Sequence, residues 1–156
     1  MSRGTRKPPR VRLGMVGGGE GAFIGAVHRI AARLDDEYEL IAGCLSATPE
    51  KARRSGALLG LDPARCYDDF EAMAKAEAAR EDGIEAVAIV TPNHLHAPVA
   101  EAFLDAGIHV ICDKPVTIAA ADAQSLRARA HARGRVFAVT HNYSAHAMVQ
   151  IGRAHV

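Results

Sequence analysis

Short apolar runs alternate along the chain with stretches whose apolar residues recur every three or four positions. Residues 11–16, Val-Arg-Leu-Gly-Met-Val, predict a first strand. Phe23, Val27, Ile30, Ala31 and Leu34 then fall at helical spacing, and predict a helix over 23–34 with these residues on its apolar face. Residues 38–45 read as a second strand, rich in apolar residues as strands covered on both sides are. Thr48 as cap and Pro49 at the first helical position start a helix with its body at 51–59, stopped by Gly60. Asp68 or Asp69 is suited to cap a third helix running through residue 80. Gly83 closes that unit, and 84–90 is an uninterrupted strand of buried type. A helix over 98–106 closed by Gly107, a strand at 109–112, a helix over 119–133 stopped by Gly134 and a strand at 136–140 complete the pattern. Strand–helix alternation of this kind predicts an α/β fold, a doubly wound parallel sheet of Rossmann-like type with helices on both faces. Ligands in such sheets sit at the carboxyl ends of the strands, where Gly17, Thr91, Asp113 and His141 fall.

Composition narrows the function classes. The 156 residues suffice for one domain with a core, and 49% hydrophobic with 24% charged residues is the balance of a globular protein. A net charge of +1 gives no reason to expect a nucleic-acid or membrane partner. No apolar run approaches the ~20 residues of a membrane helix. Residues 1–10 are basic and surround Pro8-Pro9; they lack the apolar core of a secretory signal and read as a frayed tail. Cys44, Cys66 and Cys112 match no zinc or redox spacing, so reduced thiols and a cytoplasmic location are expected.

The polar residues at the predicted strand ends carry the chemistry. Gly17 and Gly19 match the first two positions of G-x-G-x-x-G, with Ala22 at the third and the helix starting at Phe23 and Ile24. Glycines let a backbone approach a pyrophosphate, and a helix start offers unpaired N–H groups with partial positive charge. After the second strand no carboxylate precedes Glu50. Ser46 and Thr48 are suited to donate hydrogen bonds to a 2′-phosphate, with Lys51, Arg53 or Arg54 balancing its charge, so NADP is favoured over NAD. In Thr91-Pro92-Asn93-His94-Leu95-His96, Pro92 restrains the loop while Asn93 and the two histidines are expected to project into the crevice. No carboxylate or cysteine stands at ligand spacing beside His94 and His96, and no metal is expected; a metal-binding reading through His94, His96 and His141 predicts bound zinc or copper. Asp113-Lys114-Pro115 is the sharpest signal. A partly desolvated Lys114 is able to give or take a carbinol proton during hydride transfer, Asp113 to orient its ammonium or bind the ribose, and Pro115 to sit on a cis bond. Asn142 and Tyr143 either anchor the nicotinamide carboxamide or a substrate hydroxyl, or are simple loop polarity.

With these residues assembled, the chain resembles the amino-terminal domain of the glucose–fructose oxidoreductase / inositol dehydrogenase / MocA family over roughly residues 10–143. The resemblance rests on the first-strand glycines, Val90-Thr91-Pro92-Asn93-His94-Leu95-His96, Ala106-Gly107-Ile108-His109-Val110 and Cys112-Asp113-Lys114-Pro115, where Asp replaces the family's Glu. It implies a dinucleotide-binding domain over 11–143, a catalytic Lys114, and cofactor contacts from Thr91, Pro92, Asn93 and His96. It also places Ser46 where many members carry a ribose-binding acid and NADP users often carry serine. The implied substrate is a sugar, polyol or related hydroxyl compound. Two departures stand out. The glycine loop carries an insertion, with Gly25 and His28 in the places of the third glycine and the histidine after it. The family's second, α+β domain has no counterpart here. That domain supplies the oligomerisation sheet, most of the substrate pocket and an Asp-x-x-x-His pair, so a homo-oligomer is expected only with it, and the fragment is expected to expose an apolar face and turn over little. Residues 144–156 read as a truncated tail, 150–156 matching an in-frame translation of a common sequencing adapter. The competing class is a non-catalytic, redox-sensing cofactor module, against which Lys114 argues.

Overall fold

The computed structural model describes residues 8–147, so the tail reading of residues 1–7 and the adapter reading of 150–156 lie outside the described residues. The strands β1 (Val11–Gly17), β2 (Tyr38–Cys44), β3 (Ala86–Val90), β4 (His109–Cys112) and β5 (Phe137–Val139) form one sheet in the order β2-β1-β3-β4-β5, every pair parallel. Between them run α1 (Phe23–Leu34), α2 (Pro49–Leu58), α3 (Phe70–Ala78), α4 (His96–Asp105) and α5 (Ala120–Ala132). Order β2-β1-β3 puts a topological switch between β1 and β3, because the chain leaves β1 in one direction and returns on its other side.

Side chains alternate across the sheet and divide the core in two. Val16, Val87, Ile89, Val110 and Cys112 face α3, α4 and α5, whose Met73, Phe103, Leu104 and Leu126 are fully buried against them. Leu13, Met15, Ala86, Ala88 and Val90 face the other way, where Ile24 and Ala32 of α1 pack on them. The helix over 23–34 therefore forms as its periodicity predicts, but on a different face. Phe23, at 82% exposure, and Leu34, at 77%, lie exposed with Val27 and Ile30, while Ile24, Gly25, His28 and Ala32 turn toward the sheet. Gly25 decides this: a Cβ there would overlap Gly18 Cα, so the glycine side is the one that can come close.

Element ends follow their local chemistry. Asp69 caps α3 by accepting from the Ala72 amide at 2.7 Å, and the helix stops at Ala78, short of residue 80. Thr48 stands at the cap position of α2 with Pro49 behind it, yet makes no side-chain cap bond; its own amide donates instead to Ser46 Oγ at 3.1 Å. α4 begins at His96, before Pro98, because a 3₁₀ turn at Asn93–Leu95 feeds directly into it. Gly60, Gly107 and Gly134 end α2, α4 and α5 with positive φ. Among the described residues no helix is long and apolar enough to cross a membrane.

Candidate active site

Parallel register lines up the strand ends. Gly17 pairs with Val90, Ile89 with Cys112 and Cys112 with Val139, so the residues that follow, Thr91, Asp113 and Thr140, share one edge with the glycine loop. Gly17 and Gly18 both take positive φ, 81° and 72°, and a Cβ on Gly17 would stand 2.8 Å from the Val90 carbonyl oxygen. Close helix–strand packing, the third glycine's task in a dinucleotide turn, falls to Gly25; Ala22 is the extended residue preceding α1. The Gly19 amide donates to the Leu45 carbonyl at 3.1 Å, Glu20 to Ser55 Oγ at 2.9 Å and Ala22 to the Gly19 carbonyl at 3.0 Å. Those donors fold the loop. The groups that could meet a pyrophosphate are the first-turn amides of α1 at Phe23 and Ile24, which have no intrahelical carbonyl, in a turn free of acidic side chains.

Thr91 continues this row. Its Oγ1 is buried and has no hydrogen-bond partner among the described residues. Buried hydroxyls are nearly always paired, so an orphan between a glycine turn and a polar strand end fits a ligand group better than it fits a closed core. Pro92 and Asn93 are exposed beside it, as is His94. His96 is not: contrary to the expectation that it projects into the crevice, its ring is 1% exposed. Nδ1 stands 2.7 Å from the Pro115 carbonyl and Nε2 stands 3.0 Å from that of Thr91. The 3₁₀ turn at Asn93–Leu95 explains this: Asn93 and His94 stay outward, while the chain turns inward through half-buried Leu95 to His96 at the start of α4. Among the described residues no group of three His, Cys, Asp or Glu could hold a metal ion.

Asp113, Lys114, Thr140 and Asn142 line the mouth of a cavity of about 400 Å³ between α1 and the sheet, its walls otherwise largely apolar. The Lys114–Pro115 bond is cis. Lys114 is exposed, so these residues do not desolvate it as the sequence reading expects. Asp113 is more enclosed. Burial pushes its carboxyl up, but the Thr140 hydroxyl at 2.8 Å, the Lys114 amide and the charges of His28 and Lys114 outweigh that, and hold it below the usual carboxylate range. His28 Nε2 lies 3.8 Å from Asp113 Oδ1; burial lowers its pKa more than Asp113 raises it. Sequence reasoning gave His28 and Thr140 no role at this carboxylate. The available signal was the spacing from Gly25 to His28, one helical turn, which puts both on the sheet-facing side.

Ser46, two residues beyond the end of β2, is half-buried. Its oxygen accepts from Thr48, which leaves the hydroxyl proton to donate outward. Arg54 pairs with Glu20 at 2.7 Å and Arg53 with Asp68 at 3.4 Å, so of the three basic candidates Lys51 is the exposed one outside these pairs. Tyr143, beside Asn142 in a 3₁₀ turn, is exposed.

Residues 11–141 match a family model described as an oxidoreductase family with an NAD-binding Rossmann fold, the glucose–fructose oxidoreductase, inositol dehydrogenase and MocA group. The fold is similar to the crystal structure of an oxidoreductase from Sinorhizobium meliloti, at 61% identity and a TM-score of 0.87, over 94% of this chain and 41% of that one. It is also similar to an inositol dehydrogenase homologue from Azotobacter vinelandii, solved with NADH and myo-inositol. Identity is 42% and the TM-score 0.88, over 93% of this chain and 38% of that one. In sequence it is 40% identical to an uncharacterized oxidoreductase of Bacillus subtilis over 92% of this chain and 37% of the relative. The chain thus spans about two fifths of the length of the relatives it matches.

Proposed function

This chain belongs to the Gfo/Idh/MocA oxidoreductase family, through its NAD-binding Rossmann domain, and from that premise we propose that it is the cofactor half of an enzyme moving hydride between a nicotinamide and a sugar, polyol or related hydroxyl compound. The observation that carries the reading is the orphaned, buried Thr91 hydroxyl, set between the glycine turn and the Asp113-Lys114 strand end. The bound nicotinamide would supply the hydride acceptor or donor at the carbinol carbon. This chain's part is to hold and to manage the proton. Gly17 and Gly19 let the turn fold close against its neighbours, the Phe23 and Ile24 amides meet the pyrophosphate, and Thr91, Pro92 and Asn93 border the cofactor. Asn142 borders the nicotinamide end. Lys114 gives the proton to a carbonyl oxygen or takes it from a hydroxyl, with the ionised Asp113 beside it to orient its ammonium. The relative solved with NADH and myo-inositol supports both the cofactor class and the substrate class. NADP is proposed as the preferred form, because Ser46 and Lys51 offer a donor and a positive charge where a carboxylate would repel the 2′-phosphate.

Titrating the chain with NADPH and, separately, NADH, followed by nicotinamide fluorescence, tests this; with no Trp in the sequence the background is low. Saturable binding of both, tighter for NADPH, is the expected result. Tighter NADH binding would overturn the Ser46 assignment alone, and binding of neither by a folded chain would overturn the function.

A further inference from the structure

His96 opens α4 beneath the site and is among the most completely buried side chains of the protein. Its ring lies between two loops far apart in sequence. Nε2 meets the carbonyl of Thr91, at the carboxyl end of β3, and Nδ1 meets the carbonyl of Pro115, in the turn after β4. Both partners are backbone oxygens, which only accept, so a ring carrying both N–H groups donates to both loops and a neutral ring to one at a time, and in either form the imidazole stands within hydrogen-bond distance of both. The register of β3 with β4 runs to Ile89 and Cys112, and among the described residues the Asp113 amide bond to the Ile89 carbonyl at 3.0 Å is the last backbone rung between these loops. Past that rung the strand ends diverge into their own turns, and the imidazole spans the gap.

We infer that His96 is a positioning residue, a brace that fixes the separation between the Thr91 loop and the Lys114-Pro115 turn. The inference rests on the proposed roles of Thr91 and Lys114. A cofactor touching the first loop and a substrate touching Lys114 would meet at a distance set partly by one buried ring, and misplacement of a reacting group by an ångström is costly. Such a histidine would not touch either ligand. It acts through the backbone it holds.

The test compares the wild-type chain with His96→Phe and His96→Leu, which keep apolar bulk without a donor, and His96→Gln, which restores one. Circular dichroism establishes folding, backbone amide NMR signals report the loops, and NADPH fluorescence reports affinity. In whichever apolar variant folds, the signals of Asn93 and Val116 should both move. Affinity should fall about tenfold, as for loss of one buried hydrogen bond with an unpaired carbonyl left behind. His96→Gln should recover part of both. Wild-type signals and affinity in the apolar variants would overturn the inference, as would changes spread evenly through α4 with Gln no better than Leu, the mark of packing alone. If the wild-type chain binds neither cofactor, the functional reading fails by itself. Asn93 and Val116 then decide the brace: moved in the apolar variants and recovered in Gln supports it, unmoved overturns it.

Discussion

At Asp113 and His28 two ionisable groups of the site pull stability in the same direction with pH. Burial dominates at His28 and holds its pKa below 6.5, so between that lowered value and 6.5 the unfolded chain binds the proton more readily than the native one. Stability therefore rises with pH across that window and falls as the solution is acidified through it. Asp113 adds a second contribution at lower pH. Its carboxyl is held below 3.8, so the stability it confers is complete above 3.8 and is lost as pH falls through the depressed value. The urea midpoint of the wild-type chain should decline as pH falls below 6.5, and His28→Gln should flatten that decline. An unchanged slope in the variant would remove His28 as its source. Residues at this scale were unevenly legible in the sequence. Gly17, Thr91 and Asp113 were legible because a buried strand followed by a turn signal fixes which residue stands at the strand end. His96 was not, because composition marks a histidine as polar and says nothing about which side of a 3₁₀ turn it faces.

At the level of elements, the Arg65–Glu77 pair knots the connection between β2 and β3. Arg65 Nη2 binds Glu77 Oε2, Arg65 Nε binds Oε1 at 3.2 Å, the Tyr67 hydroxyl donates to Oε1 at 2.8 Å and the Ile84 amide to Oε2 at 3.1 Å. Both carboxylate oxygens are thus satisfied inside the protein, and a Cβ on Gly83 would overlap the Glu77 carbonyl. The carboxylate of Glu77 helps to shape the turn from which β3 starts, and β3 in turn sets Thr91. Removing it with Glu77→Ala strands a buried guanidinium and should cost about 3–5 kcal/mol in urea unfolding, with β3 amide protection reduced. A loss below ~1 kcal/mol would mean that water or Asp82 replaces the carboxylate. No local pattern announces this knot, since Arg65 and Glu77 meet only after α3 folds back. Periodicity did reveal the helix over 23–34, yet not its orientation, because glycine contributes nothing to an apolar stripe while it decides how near α1 can come to Gly18.

For the whole molecule, α3, α4 and α5 pack on one face of the sheet, while on the other α1 packs on its centre and Leu59, at the end of α2, joins the same cluster. The exposed stripe of Phe23, Val27, Ile30 and Leu34 and the cavity beside α1 belong to that second face. A stripe of this kind promotes self-association in water. Ile30→Lys combined with Leu34→Glu should therefore raise solubility, measured by light scattering, without altering cofactor affinity, because neither residue lies at the strand ends. The parallel sheet and the crevice at its strand ends were legible from strand–helix alternation; the strand order and the uneven cover were not, since they depend on which way each crossover turns and on what lies beyond each helix rather than within it.

The location of cofactor binding is the central claim, and backbone amide NMR signals recorded while NADPH is added to the labelled chain test it most directly. The account predicts that signals from Gly17 to Ile24, with Ser46, Thr91, Asn93 and Asp113, move together and saturate at one concentration. Shifts confined to the groove between α1 and β4, with the glycine turn and Thr91 unmoved, would contradict it.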